Sequence, residues 1–122
     1  MLSTGVIVEE RRKLQRRHLY FYSRVFDEET HKLAGRLVDI SREGMMLVSD
    51  RSMKPNSSFR FKLVLPNSVA GKKTLILEAH SRWSQKTSDR ALFDNGFELV
   101  NVSDQNARVI DRMVEKAETD TQ

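Results

Sequence analysis

The sequence contains no cysteine, only two prolines and five glycines, and no long apolar run. The absence of cysteine excludes disulfide frameworks, thiolate zinc sites and cysteine nucleophiles. The scarcity of proline, together with 39% apolar residues, argues against a disordered or collagen-like chain. No apolar stretch approaches the roughly 18 residues of a membrane span, and residues 1–8 lack the basic leader of a secretory signal. We therefore expect no membrane insertion and a cytoplasmic location.

The chain has 122 residues and a net charge of +4, which suits one domain with a mild basic excess. That excess is concentrated in the stretch "ERRKLQRR", residues 10–17, whereas the end of the chain, "EKAETDTQ", is acidic. A local basic cluster on a nearly balanced chain predicts one anionic partner bound at one place. Among anionic partners, the sequence favours phosphate-bearing ligands first and acidic protein surfaces second.

The order of the predicted elements indicates a mainly β protein. Six segments have the aromatic, β-branched or alternating apolar character of strands: 18–26, 32–41, 44–50, 59–66, 74–85 and 91–100. "NSVAGKK", residues 67–73, is predicted as a connection. A helical stripe follows from Asp104 to Glu118, with Ser103 as its N-cap. Six short strands and one helix fit a small antiparallel barrel or a curled sheet capped by the helix. We expect a flexible arm over 1–17, a single domain over 18–118 and a tail over 119–122.

A predicted hairpin gives the basic arm a position relative to the sheet. If the first turn is centred near Glu28 or Glu29, antiparallel partners have numbers that sum to about 58, within two residues. Arg16 and Arg17 then lie opposite Ser41 and Arg42. The arm therefore emerges beside the segment "DISREG", residues 39–44.

The residue types at this edge suit a guanine nucleotide with more than one phosphate. Arginines bind phosphate and the O6 and N7 edge of guanine through paired N–H donors. Asp39 and Ser41 share one face of a strand, and a carboxylate can accept from the ring N–H and amino group of guanine. Gly44 ends the segment where the backbone needs positive φ or where a ligand approaches closely.

Two motifs in this sequence resemble those of the PilZ domain family. "RKLQR", Arg12 to Arg16, is similar to the RxxxR motif, and "DISREG" matches the [DN]xSxxG motif at every defined position. "NGFELV" before a helix also fits, so the resemblance covers residues 10 to about 116. It implies a six-stranded antiparallel β-barrel with a C-terminal α-helix, and binding of the bacterial second messenger cyclic di-GMP. Carried over residue by residue, the ligand-binding residues are Arg12, Arg16, Asp39, Ser41 and Gly44.

Four further residues are candidates for the same site: Arg11, Arg17, Arg42 and Trp83. Trp83 shares the parity of Leu77 in its strand, which favours the core, while a place lining the ligand site stays open. The three histidines lack metal-ligand spacing, and no acidic pair or nucleophile has a catalytic context. The sequence therefore predicts a binding module with no cofactor and no enzymatic activity.

Three other interpretations remain open. RxxxR alone is weak, since Arg108 and Arg112 repeat it in the helix, and the N-terminal cluster could be a solvated basic arm. A single-strand nucleic-acid module would need basic and aromatic residues continuing across a sheet face, and we do not expect nucleic acid as a partner. A PilZ-fold adaptor that binds proteins but no nucleotide is the main alternative.

The resemblance implies a mechanism as well as a ligand. The arm is expected to order itself over cyclic di-GMP and so change the surface offered to an unidentified effector protein. PilZ domains take the ligand as a monomer or as an intercalated dimer, so we expect a monomer or a ligand-linked dimer. Arg11, just before the RxxxR motif, offers a further guanine-stacking group and weakly favours the dimeric ligand.

Overall fold

The computed structural model describes residues 23–120, which form a closed six-stranded antiparallel β-barrel and one C-terminal helix. This confirms the predicted fold class. The elements, in chain order, are β1 (Arg24–Asp27), β2 (Leu33–Ile40), β3 (Gly44–Ser49), β4 (Ser58–Val69), β5 (Lys72–Lys86), β6 (Phe93–Val100) and α1 (Asp104–Asp120). The proposed boundary between arm and domain at residues 17 and 18 lies outside the described residues.

The strands follow one another around the barrel in the order β1, β2, β3, β6, β5 and β4, and β4 pairs with β1 to close it. In the first hairpin Arg24 pairs with Arg36 and Val25 with Gly35, so the partners' numbers sum to 60, within the predicted two residues of 58. The continuation of this register to Arg16 and Arg17 lies outside the described residues.

The interior of the barrel is filled by apolar side chains that alternate along the strands. On β4, Phe61, Leu63 and Leu65 are buried, as the alternation predicts. Phe61 stacks on Phe59 with the ring centroids 5.2 Å apart, and it meets Phe97 of β6 edge-on at the same distance. Such aromatic pairs add to the free energy gained by burial alone.

Helix α1 closes one end of this core. The Ser103 hydroxyl accepts from the backbone N–H of Asn106 at 3.1 Å, which confirms the predicted N-cap. Val109, Ile110 and Met113 are buried in the same cluster as the strand residues. The helix runs two residues beyond the predicted end, to Asp120. No helix within residues 23–120 has the length and apolar character needed to cross a membrane.

The predicted connection over residues 67–73 is wrong. β4 continues to Val69, which pairs with Lys72 of β5, so only Ala70 and Gly71 form the turn. Both have positive φ, 51° and 79°, as a two-residue turn of type I′ requires. The twist of that turn matches the twist of the flanking strands, which lets pairing extend through "NSVAGKK".

Ala70→Asn should stabilise the protein, because asparagine tolerates the left-handed conformation that alanine occupies here. We expect the free energy of unfolding in urea to rise by about 0.5–1 kcal/mol. Gly71→Ala is the matched control. A Cβ there would meet nothing within 4 Å, so it should lose about 1 kcal/mol from backbone strain alone. A loss of stability in Ala70→Asn would contradict the turn assignment.

Candidate functional site

The turn between β2 and β3 is built by Ser41 and its neighbours. The Ser41 N–H donates to the Gly44 carbonyl at 2.8 Å. Its hydroxyl accepts from the Glu43 N–H at 3.3 Å and lies 3.5 Å from Glu43 Oε1. The Glu43 carbonyl in turn accepts from the Leu99 N–H of β6 at 2.8 Å. The turn therefore holds an exposed hydroxyl in place and is itself tied to β6.

Gly44 is required by close packing and not by backbone conformation. Its φ is outside the left-handed region, so one of the two predicted reasons for glycine does not apply. A Cβ at this position would lie 2.7 Å from the Phe97 carbonyl oxygen. The absence of a side chain thus lets the start of β3 approach β6.

Asp39 is turned to the outer face of the barrel by a bulge. Leu37 pairs with Leu47, but the next pair along the strands joins Asp39 to Met46. Val38 is therefore an extra residue, and it reverses the alternation of β2. Asp39 then shares the outward parity of Met46, and Ile40 after it is buried. The Asp39 Oδ1 accepts from the Ile40 N–H at 2.9 Å.

A second bulge acts on Trp83 in the same way. Ser81 pairs with Phe97 and Trp83 with Gly96, so Arg82 is the extra residue. The interpretation of Trp83 as a core residue is therefore wrong, because it assumed an unbroken alternation. Its ring is 43% exposed and lies against Gly96, where an added Cβ would come within 2.3 Å of the indole.

The strand pairing joins these residues into one row across the outer face. Asp39 of β2 pairs with Met46 of β3, Met46 with Gly96 of β6, and Gly96 with Trp83 of β5. Directly paired residues on one face have Cβ atoms about 4.5–5.5 Å apart. A carboxylate and an exposed aromatic ring are thereby placed on the same surface beside the β2–β3 turn.

Arg82 and Glu98 adjoin this row, and the sequence analysis missed both. The Arg82 Nη2 donates to Glu98 Oε1, and Glu98 pairs directly with Gly44. A register for the β3–β6 pair, worked out as for the first hairpin, would have placed Glu98 opposite Gly44. The bulge that directs Arg82 outward has no marker in the alternation of β5.

Arg42, predicted as a further ligand contact, points to the helix. Its Nε lies 3.0 and 3.1 Å from the two carboxylate oxygens of Asp111 on α1, and its Nη2 lies 2.5 Å from Oδ2. This bidentate contact lowers the pKa of Asp111 below its ordinary value and raises that of Arg42. A cleft of about 330 Å³ separates the turn from α1 around this ion pair.

Of the predicted site residues, Asp39, Ser41 and Gly44 come together with Trp83 on one side of the barrel. Arg11, Arg12, Arg16 and Arg17 lie outside the described residues. Within residues 23–120 no group of acidic or histidine side chains is arranged to hold a metal ion. An exposed aromatic ring on the same face of the barrel as a carboxylate and a hydroxyl suits recognition of a planar, hydrogen-bonding ligand.

Barrel and outer face together define a small β-barrel module with polar side chains on its outer face. A model of the PilZ domain matches residues 10–116, and the chain belongs to the PilZ domain family. No curated protein matches the sequence.

Solved structures share the fold at low sequence identity. The motility inhibitor MotI/DgrA of Bacillus subtilis has a TM-score of 0.67 at 16% identity, over 82% of this chain and 48% of that one. This chain therefore spans about half the length of MotI/DgrA. The PilZ domain of Escherichia coli YcgR with c-di-GMP has a TM-score of 0.59 at 14% identity, over 80% and 83% of the two chains. Borreliella burgdorferi PlzA in complex with c-di-GMP has a TM-score of 0.53 at 10% identity, over 98% and 58%.

Gly96→Ala should displace the Trp83 ring, because the new Cβ would overlap the indole. The ring is already exposed and can swing outward, so we expect a stability loss of only about 1 kcal/mol. Trp83 is the only tryptophan, so its emission should shift to longer wavelength and acrylamide should quench it more strongly. Gly71→Ala, in open space, is the control. Unchanged emission in Gly96→Ala would refute the assigned ring position.

The Arg42–Asp111 ion pair should make stability depend on pH at the acidic end. Because the pKa of Asp111 is lowered in the folded state, its contribution is present above the ordinary carboxyl value of 3.8 and is lost as pH falls through the folded value. The stability difference between the wild type and Asp111→Asn should therefore stay constant well above the ordinary carboxyl value and shrink as the pH falls below it. Arg42→Gln should abolish the same component, and a difference independent of pH would contradict the pair.

Proposed function

We propose that this chain is a receptor for cyclic di-GMP. The ligand binds between the arginines of residues 10–17 and the outer face formed by Asp39, Ser41 and Gly44. One observation carries the proposal: the bulge in β2 turns Asp39 outward, onto the row that ends at the exposed Trp83. Membership of the PilZ family supports it, as do the two similar structures that contain c-di-GMP.

The chemistry of this face suits a guanine base. The Asp39 carboxylate can accept from the ring N–H and the exocyclic amino group of guanine, a pair of donors that adenine lacks. The exposed face of the Trp83 indole offers a stacking surface for a purine. The Ser41 hydroxyl, held by the Glu43 N–H, can turn its proton toward a phosphate oxygen.

The phosphates of the ligand require more positive charge than this face carries. Cyclic di-GMP carries two phosphates, whereas the turn and the strands beside it present the carboxylates of Asp39, Glu43 and Glu98, and of these Glu98 is bonded to Arg82. Arg42 is engaged with Asp111 of the helix. Arg12 and Arg16 therefore supply the main phosphate and guanine contacts in this proposal, with Arg11 and Arg17 beside them.

The liganded protein then signals through an effector protein. A PilZ-fold adaptor that binds no nucleotide remains the second candidate, because the MotI/DgrA structure, named as an inhibitor of motility, has the highest of the three TM-scores. The first binding measurement distinguishes the receptor from the adaptor, since an adaptor would fold and yet not bind cyclic di-GMP.

Calorimetric titration with cyclic di-GMP tests the proposal, with cyclic di-AMP and GTP as controls. Arg12→Ala and Arg16→Ala should each lose a charge-assisted contact of roughly 1–3 kcal/mol, or about 10- to 100-fold in affinity. The fitted stoichiometry distinguishes a monomeric from a dimeric ligand. Arg60→Ala, on the outer face of β4 away from the site, is the matched control for loss of one positive charge.

Asp39→Ala tests base recognition in the same titration. It should weaken cyclic di-GMP binding and narrow the preference over cyclic di-AMP, with little change in the thermal midpoint. Retained affinity in both arginine variants would rule out the clamp. A folded wild type that binds no cyclic di-GMP would leave the adaptor function in its place.

A further inference from the structure

We propose that Arg82 is a ligand-binding residue of the barrel itself, held toward the site by Glu98. This inference rests on the proposed function and adds to it a cation that neither sequence motif contains. Arg82 is the extra residue of the β5 bulge and directly precedes Trp83. Residues inserted by a bulge are often re-aimed side chains beside functional sites.

The position of Arg82 follows from its partner. Glu98 pairs directly with Gly44, the last residue of "DISREG". Because Gly44 has no side chain, the outer face beside Glu98 stays open at the point where the β2–β3 turn ends. The bond from Arg82 to Glu98 therefore holds the guanidinium at the residue of β6 that lies opposite the end of this turn.

The ion pair leaves Arg82 able to bind an anion. The Arg82 side chain is 51% exposed, and that of Glu98 is 46% exposed. The bond to Glu98 is made through Nη2, and a guanidinium carries five N–H donors in one plane. Its remaining donors suit bidentate contact with a phosphate of a ligand whose base lies on Trp83.

Charge balance at this face supports the same role. Asp39 and Glu98 place negative charge where a doubly anionic ligand would bind, which opposes binding unless cations lie nearby. Arg42 is turned away toward α1, whereas Arg82 stays on the outer face. Arg82 thus offsets the local carboxylates with a cation that the barrel itself carries.

Glu98 acts in this scheme as a positioning residue. An arginine has many rotamers in solution, and fixing one of them costs conformational entropy on binding. The contact with Glu98 fixes the guanidinium before the ligand arrives. Removing Glu98 should therefore weaken binding through Arg82, less the gain from removing a negative charge, and the two substitutions should not be additive.

The test is calorimetric titration of the 122-residue chain with cyclic di-GMP, comparing Arg82→Gln with Arg60→Gln. Each variant removes one exposed arginine of the outer face. Arg60, however, lies on β4, where it pairs with Glu78 of β5 away from the site. Arg82→Gln should bind about 10- to 100-fold more weakly, and Arg60→Gln should bind as the wild type does. Arg82→Lys keeps the positive charge but lacks the planar guanidinium, so its affinity should lie between those of the wild type and Arg82→Gln.

Two further readouts separate a ligand contact from a structural role. The affinity of Arg82→Gln should fall less steeply with added salt than that of the wild type, because one screened charge contact is gone. Glu98→Gln should lose less affinity than Arg82→Gln, and the double variant should bind no more weakly than Arg82→Gln alone. A structural role would instead lower the thermal midpoint and leave the salt dependence unchanged.

The outcomes distinguish this inference from the proposed function. If the wild type binds cyclic di-GMP and Arg82→Gln binds equally well, the role of Arg82 is refuted while the receptor function stands. If the folded wild type binds no cyclic dinucleotide, the receptor function fails and the role of Arg82 fails with it. Selective loss in Arg82→Gln, with Arg60→Gln unaffected, supports both.

Discussion

Closure of the barrel through the β1–β4 pair is the constraint on which the site depends. A closed antiparallel sheet has no free edge for β-strand addition, and here its interior is filled by side chains such as Phe61 and Leu63, each 1% exposed. A ligand therefore has access only to the outer face and the two ends. Because α1 is packed on one end, side chains from distant parts of the chain that are to contact one ligand must lie at outward-facing positions of neighbouring strands.

Two bulges decide which residues reach that face. With unbroken alternation, Asp39 would follow Leu37 inward and Trp83 would follow Ser81 inward. A carboxylate buried there without a partner would cost far more free energy than one unpaired strand residue. Val38 and Arg82 each insert one residue and reverse the parity, so both side chains point outward. A β-bulge thus places the residue at each end of the row, Asp39 and Trp83, on the outer face.

Much of this architecture could be predicted from the sequence, because it follows from periodicity. The alternation from Phe59 to Leu65, the Ser103 cap and the first hairpin all agree with the structure. Parity beyond a bulge could not be predicted, since nothing in "TLILEAHSRWSQ" indicates where the alternation breaks. For that reason the parity of Trp83 with Leu77 favours the core over the ligand site. The turn after β4 was missed because Ala70 occupies a positive φ that its residue type does not suggest. The motif "DISREG" was recognisable, but the function of its glycine depends on a carbonyl of β6.

Two exposed ion pairs within residues 23–120 have complementary places around the β2–β3 turn. Surface ion pairs contribute little to stability on average, so their geometry matters more than their energy. Arg42, inside the turn, is bonded to Asp111 of α1, whereas Glu98, opposite the end of the turn, is bonded to Arg82 on the outer face. The turn thus adjoins the outer face on one side and the helix on the other. Any ligand that contacts Ser41 therefore touches the β2–β3 turn, which is already bonded to α1. A ligand on the outer face would thus be connected to the helix through this turn.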